Sequence, residues 1–441
     1  MKMNLKYSAL VALLLALQPL NWTRGGETET IAPASANEVS VESLVKEALA
    51  KNPELNFYNA EIAAARGERR TAGTLANPEL TSQVSAKRAK DAQTGLTGDG
   101  LAWSVSVLQT FEYPGRLSLR KAIANRQIEL AELGYGQFRA ALIAKTRSAA
   151  FALFEAQEKA AAAREVAERF AALTEVLVQR EPAGVTPLLE TRIIEANAIT
   201  AERRASEAKQ AARVASVELN QLRGQPAVAA LRIARPEIAF EKMEPVERLA
   251  DRAATNSFDL RMRQVELEQQ GFKVSLAKNE RFPSVSVGPV YSEEETGRVG
   301  EKDRTVGVGI TMPLPLWNRN KGNIETARAR EEQAATSLRL TQREVERKVV
   351  ENSTAYEARM EEMSRWRADA ASKLREAAEL ADRHYRLGAV PVATYVELQK
   401  QYLEAVEAIL DTKRDALQAA QELEILTGLT IYKIGAPTSG Q

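Results

Sequence analysis

The chain is written twice, in the same order each time. Leu44, Ala48, Leu55, Ala72 and Pro78 return 205 positions later as Leu249, Ala253, Leu260, Ala277 and Pro283. Gly184 and Pro187 return 204 later as Gly388 and Pro391, and Leu219, Leu222 and Gly224 as Leu423, Leu426 and Gly428. Shared helical composition does not hold a register to one residue over so long a span. The unit is too long for a solenoid repeat and reads as a duplicated domain-sized block. The expected organisation is a leader over 1–36, a first repeat over 37–244, a second over 245–430 and a C-terminal tail over 431–441.

Lys2 and Lys6 precede an apolar run over 7–17, a charged start followed by a stretch too short to span a bilayer. Ala34-Ser35-Ala36 offers a small-residue cleavage site before Asn37, so the expectation is an exported chain. There is no cysteine, hence no disulfide and no thiol for lipid attachment. No later stretch approaches the ~20 apolar residues of a membrane helix. Sixty Lys and Arg stand against 59 Asp and Glu, leaving no net field to draw nucleic acid. One histidine and no cysteine argue against a transition-metal enzyme and a nucleophilic triad. The expectation is no enzyme, no cofactor and no metal site.

Each copy opens on a short helical segment, broken near Asn52-Pro53 or Asn256-Ser257. A second helical piece follows, with Ala60, Ala64 and Ala65 in the first copy. The period then switches from 3.6 to 2. Leu80, Ser82, Val84 and Ala86 alternate with Thr81, Gln83, Ser85 and Lys87, and Leu101, Trp103, Val105 and Val107 with Ala102, Ser104 and Ser106. The second copy repeats the design with Val285, Val287 and Tyr291, then Val306, Val308, Ile310 and Met312. Strands are expected over 80–87, 101–110, 284–291 and 305–312, with hairpin loops over 91–100 and 292–304.

Long windows without proline follow, over 115–181 and 316–390, rich in Ala, Glu, Arg and Leu. Read as helix, the first would reach roughly 100 Å. In the second, Val349, Tyr356, Met363, Ala370, Ala377 and His384 recur every seven residues, a coiled-coil seam that makes His384 a packed position rather than a metal ligand. Each window ends in a Gly-x-x-Pro turn, Gly184 to Pro187 or Gly388 to Pro391, before a return helix of about 36 residues. The return is too short to cover its partner, and the piece over 53–76 would stack with it to supply the missing length.

Four strands are too few for a closed barrel, yet their length matches tilted membrane-spanning strands of ~9–11 residues. Open edges are not tolerated in lipid, so closure requires further copies of the chain. Three copies give twelve strands, within the range of bacterial outer-membrane barrels. The fold class expected is mainly α with a small transmembrane β-barrel contribution, closing as a trimeric 12-stranded β-barrel on an α-helical barrel. A secreted coiled-coil scaffold or adhesin, its four strands forming a capping sheet, is the reading without a pore.

The paired hairpins, the segment Phe111-Glu112-Tyr113-Pro114-Gly115-Arg116, its counterpart Pro313-Leu314-Pro315-Leu316-Trp317-Asn318-Arg319-Asn320-Lys321-Gly322-Asn323-Ile324 and the two Gly-x-x-Pro turns together resemble the TolC family of outer-membrane efflux proteins. The Pro-Leu-Pro-Leu-Trp-Asn-Arg-Asn run is similar to the heavy-metal branch with CzcC-like and CusC-like members. The resemblance implies a homotrimeric channel-tunnel seated in outer-membrane lipid, with a long helical extension across the periplasm. It also implies docking on a periplasmic adaptor (membrane-fusion) protein and an inner-membrane resistance-nodulation-division pump. Many members carry an N-terminal lipidated cysteine; this chain has none to lipidate.

By the same resemblance, Tyr385, Glu397 and Glu190 match gate positions of the family. Ala183, Gly184, Pro187, Gly388, Ala389 and Pro391 match the tips that meet the adaptor. Val390 and Thr394 depart, standing where an arginine and a second acid are frequent. Rings of three carboxylates at a constriction favour cations. The implied cargo is a divalent or heavy-metal cation, with multidrug or organic-solute efflux as the alternative. Seven methionines and one histidine compose no metal relay of their own.

Overall fold

The computed structural model describes residues 39–90, 95, 97–180, 188–295, 302–367 and 369–435. The expected leader, its cleavage site and the first turn with Ala183, Gly184 and Pro187 lie outside the described residues.

Each copy runs through two short helices, a β-hairpin, a long outgoing helix and its return. The first comprises α1 (Val41–Lys51), α2 (Glu54–Ala72), β1 (Glu79–Lys90), β2 (Thr97–Phe111), α3 (Arg116–Arg180) and α4 (Leu188–Leu222). After β3 (Glu237–Phe240), the second comprises α5 (Val246–Asn256), α6 (Phe258–Asn279), β4 (Val285–Glu295), β5 (Lys302–Thr311), α7 (Lys321–Ser364), α8 (Ala370–Arg386) and α9 (Val392–Thr427), followed by β6 (Tyr432–Gly435). Among the described residues no helix is long and apolar enough to cross a membrane.

The breaks near Asn52 and Asn256 have a shared purpose. Asn52 Nδ2 donates to the carbonyl of Leu222 at 3.0 Å, and Asn256 Nδ2 to that of Thr427 at 2.8 Å. Both carbonyls belong to the last turn of a return helix, where they have no partner within the helix. Gly224, at φ +65°, and Gly428, at φ +72°, then turn the chain away. Around these caps Leu44, Leu142, Leu153 and Leu219 form the core of the first copy. Leu249, Val349, Leu417 and Leu423 do so in the second.

The short helix α2 and the return α4 both lie along α3, so the expected stacking is observed. Tyr58 stacks on Phe138 with ring centroids 4.6 Å apart, and Arg69 Nε donates to Asn125 Oδ1 at 2.8 Å. Beyond that, α4 buries Ala201 and Ile194 with Val166 and Leu173 of α3.

Two sequence expectations need correction. The second long window is not one helix: α7 ends at Ser364 and α8 begins at Ala370. At the break Arg365 and Trp366 donate to carbonyls three residues back, and Asp369 starts the new helix with its carboxylate 2.7 Å from Lys373. No proline or glycine marks the place. The interruption resets the heptad seam. Val349 and Tyr356 are buried as expected, but on α8 the buried face is Ala378 and Ala381, and His384 is exposed.

The second correction concerns the expected tail. Its start forms β6, which pairs antiparallel with β3 through Ile238 opposite Ile434 and Phe240 opposite Tyr432. Tyr356 of α7 holds both sides by donating its hydroxyl to the carbonyls of Glu241 (2.7 Å) and Ile431 (3.3 Å). Strands of four residues carry too little period to read from sequence.

Candidate functional site

Two places combine exposure with organisation: the four-stranded sheet and the far end of the helical hairpins. The sheet runs in the order β1-β2-β4-β5, antiparallel throughout. The two hairpins expected from alternation are joined edge to edge through β2 and β4, with Val105 opposite Tyr291. Strands of 10 to 15 residues exceed the expected spans, because pairing continues into stretches assigned to loops.

Residues directly opposite one another in a ladder point to the same face. Leu80 pairs with Val107 and Val84 with Trp103; Trp103 and Val105 face Glu293 and Tyr291; Tyr291 pairs with Val306 and Val287 with Ile310. Three registers thus gather the apolar residues of all four strands onto one side. The opposite side carries Thr81, Gln83, Ser104, Ser106, Ser286, Ser292, Thr305 and the glycines 307 and 309, with Leu108 and Val290 as apolar exceptions. On it Thr110 and Ser286 share a hydrogen bond of 2.8 Å. Gly288 is required there: a Cβ would come 1.8 Å from the carbonyl oxygen of Val107.

The apolar side is not covered. Val306 is 79 %, Val308 73 % and Leu80 71 % exposed. From Leu101 to Phe111 the band measures about 33 Å along the strand, or about 25 Å in height at a tilt near 40°. β1 and β5 have partners on one side only. A sheet with an apolar outside, a polar inside and two open edges is an incomplete wall.

At the other end, α8 closes through a Schellman motif. Ala389 N–H donates to the carbonyl of His384 and Gly388 N–H to that of Tyr385, both at 2.9 Å, with Gly388 at φ +74°. Pro391 caps the start of α9. Inside this turn Tyr385 stacks on Tyr395 at 5.3 Å, and Phe170 of α3 meets Tyr395 edge-on at 5.3 Å. Tyr385 Oη lies 3.4 Å from Glu190 Oε2 of α4, which joins the two copies. Burial, then the Glu190 carboxylate, raises the Tyr385 hydroxyl above its usual value. Tyr395, fully buried, is raised further by burial and by Asp382.

Of the three residues expected at the constriction, the fold brings Tyr385 and Glu190 together but not Glu397. Glu397 is exposed two residues beyond Tyr395 and accepts from Gln401 at 2.7 Å. Sequence reasoning missed the polar knot next to them. Gln399, fully buried, donates to the Ala378 carbonyl at 2.8 Å and accepts from Arg169 at 3.0 Å. Arg169 also meets Glu165 at 2.5 Å, and Glu165 meets Arg375 at 3.2 Å. The available signal was a glutamine inside the apolar stripe Tyr395, Tyr402 and Leu403. Among the described residues no group of His, Cys, Asp and Glu is placed to hold a metal.

The family described as outer membrane efflux protein matches the chain twice, over residues 44–225 and 249–429, one match for each copy. The cobalt-zinc-cadmium resistance protein CzcC of Cupriavidus metallidurans is 26 % identical over 316 residues, covering 70 % of this chain and 71 % of the relative. The fold is similar to the CmeC outer membrane channel of Campylobacter jejuni, with TM-score 0.69, 17 % identity and 94 % of each chain covered. It is similar to CusC as well, with TM-score 0.69, 14 % identity, 90 % of this chain and 95 % of the other.

Proposed function

The chain belongs to the outer membrane efflux protein family, and from that premise we propose that three copies close into a passive duct for divalent metal cations. An outer membrane efflux channel component is a conduit, not an enzyme. The observation that carries the trimeric reading is the sheet: an apolar band of membrane height on one face, polar on the other, with β1 and β5 unpaired at its edges. Pairing β5 of one copy with β1 of the next removes every edge, the condition that lipid imposes. Three four-stranded sheets make twelve strands, and the polar face becomes the lumen.

At the tips, the Tyr385–Glu190 pair and the separate Glu397 each occur three times around the axis of such a trimer. Rings of carboxylate favour cations over anions. Gly388, Ala389 and Pro391 form the end that meets a periplasmic adaptor and, through it, a resistance-nodulation-division pump; Ala183, Gly184 and Pro187, which match the same tips by resemblance, lie outside the described residues. Metal as cargo is supported by the similarity to a cobalt-zinc-cadmium resistance protein. Export through a cleaved leader, without lipid, completes the reading; mass spectrometry of membrane-extracted protein should find an N-terminus near Asn37 and no acyl adduct.

The test is a deletion strain scored for growth. Loss of the gene should sensitise cells to zinc, cobalt or cadmium and leave tolerance of organic drugs unchanged, with metal tolerance restored to the parental level by the intact gene. Drug sensitivity without metal sensitivity would overturn the cargo and leave the duct.

A further inference from the structure

The loop end of the sheet is charged, and its charges are sorted by strand. On the face that carries the apolar band, β1 ends with Arg88 and Lys90, and β5 begins with Lys302 and Arg304. The acids of that face lie on the two inner strands: Asp99 opposite Arg88, Glu293 opposite Arg304 and Glu295 opposite Lys302. Arg88 Nε donates to Asp99 Oδ1 at 2.6 Å, while Lys302 and Arg304 both reach Glu293 at 3.0 Å. The shared acid is covered and its partners are not: the Glu293 side chain is 12 % exposed and that of Arg304 68 %. Arg88, Lys90 and Lys302 are exposed as well. One step nearer the helices, the same face carries Ala86, Leu101, Tyr291 and Val306.

Lysine and arginine on an edge strand discourage pairing with a wrong partner. Here the edges are the ones that must pair for the wall to close. Joining β5 of one copy to β1 of the next brings Lys302 and Arg304 alongside Arg88 and Lys90, because each pair sits at the loop end of its strand. The acids of both copies then lie one strand further in on either side. Alternate residues on a strand are about 7 Å apart and paired strands about 4.8 Å, so the four cations gather within roughly 10 Å. Like charges side by side weaken a sheet, and hydrocarbon on one flank leaves them poorly screened. Closure therefore calls for an anion at this spot.

We infer that each seam between copies binds the phosphates of lipid A, the bisphosphorylated glycolipid of bacterial outer membranes, a site that rests on the barrel reading above. Acyl chains suit the apolar residues directly beneath the cations, which favours a lipid over free phosphate. Two phosphates on one headgroup match two pairs of cations, which favours lipid A over a glycerophospholipid with a single phosphate. Arg88 commits Nε and one terminal nitrogen to Asp99, at 2.6 and 3.2 Å, which leaves further N–H donors for phosphate oxygens. With the helices on the periplasmic side, the loop end lies in the leaflet facing outwards. The lipid would act as a clamp across the seam, bridging β5 of one copy to β1 of its neighbour.

The test uses the full assembly, purified in detergent, stripped of lipid and titrated with lipid A under native mass spectrometry. Lipid A should bind at one molecule per seam. Lipid A stripped of both phosphates, and phosphatidylglycerol, should each bind at least about tenfold more weakly. Combining R88Q, K90Q, K302Q and R304Q should abolish lipid A retention at unchanged trimer yield. Equal binding of the dephosphorylated lipid or of phosphatidylglycerol by the parent would overturn the site, and so would undiminished retention of lipid A by the variant. A parent trimer that binds no lipid A overturns the clamp and leaves the barrel standing. If the parent chain forms no trimer there is no seam, and the barrel reading and the site fall together.

Discussion

Several single residues carry consequences out of proportion to their size. Asn52 and Asn256 satisfy carbonyls at the ends of α4 and α9, and Asn52 is buried. Removing either side chain leaves a helix end without a partner at a cost of about 1–3 kcal/mol. Asn52→Ala should therefore lower the melting temperature measurably, whereas Asn56→Ala, exposed on α2, should not. Gly388 adopts φ +74° in open space, so the penalty for a side chain is conformational rather than steric. Gly388→Val should cost roughly 1–2 kcal/mol by that route, read as a lower denaturation midpoint with the sheet intact by circular dichroism.

Glu47 adds a pH dependence at the same scale. Burial alone would raise its pKa, but hydrogen bonds from Lys51, Gln225 and Arg223, with the Arg223 charge, lower it to about 2. A carboxylate depressed in the folded state stabilises above its unfolded pKa, and the effect is lost as pH falls through the folded value. The join between α1 and the end of α4 should weaken from about pH 4.5 down to about 2, measured by thermal melts across that window. Glu47→Gln should flatten the curve there. A variant that melts with the same acid slope as the parent would remove Glu47 from the account.

Among the elements, what could be read from sequence divides by period. The four long strands are legible because alternation over eight or more residues has few alternatives, and Val84, Val105, Val287 and Val308 all fall on the apolar face as their spacing requires. The pairing of β2 with β4 is not legible, since it joins segments some 180 residues apart with no local signal. The break between α7 and α8 is not legible because it contains neither proline nor glycine, nor is the pairing of β3 with β6, because four residues hold no pattern. At the tip, the Tyr385–Glu190 contact depends on two helices from different copies, which sequence likeness could name but not place.

The sheet yields its own prediction. Val308→Arg, on the apolar face near mid-strand, should destabilise by about 2–4 kcal/mol if that face meets lipid. Thr305→Arg, on the opposite face, should be tolerated and alter conductance instead. Urea titration of protein folded into vesicles compares the two. Equal tolerance of arginine on both faces would contradict a membrane wall.

At the scale of the whole molecule, the duplication explains the economy of the design. One block of helix, hairpin and long return, used twice, yields two β-hairpins that join into one third of the proposed cylinder and two helical hairpins of which α3 alone reaches about 100 Å. The linker and the last strand bind the copies at mid-length through β3, β6 and Tyr356. Neither hairpin pair can satisfy its edges without a neighbour, so assembly and membrane insertion become the same event in this account.

That claim is tested most directly by recording from planar bilayers with purified, crosslink-verified trimer. Discrete single-channel steps with a preference for cations are expected, and a reduced preference at unchanged trimer yield when Glu190→Gln and Glu397→Gln are combined. A trimer that binds membranes yet conducts nothing, or that conducts with its full cation preference in the double variant, would contradict the pore in the first case and its carboxylate constriction in the second.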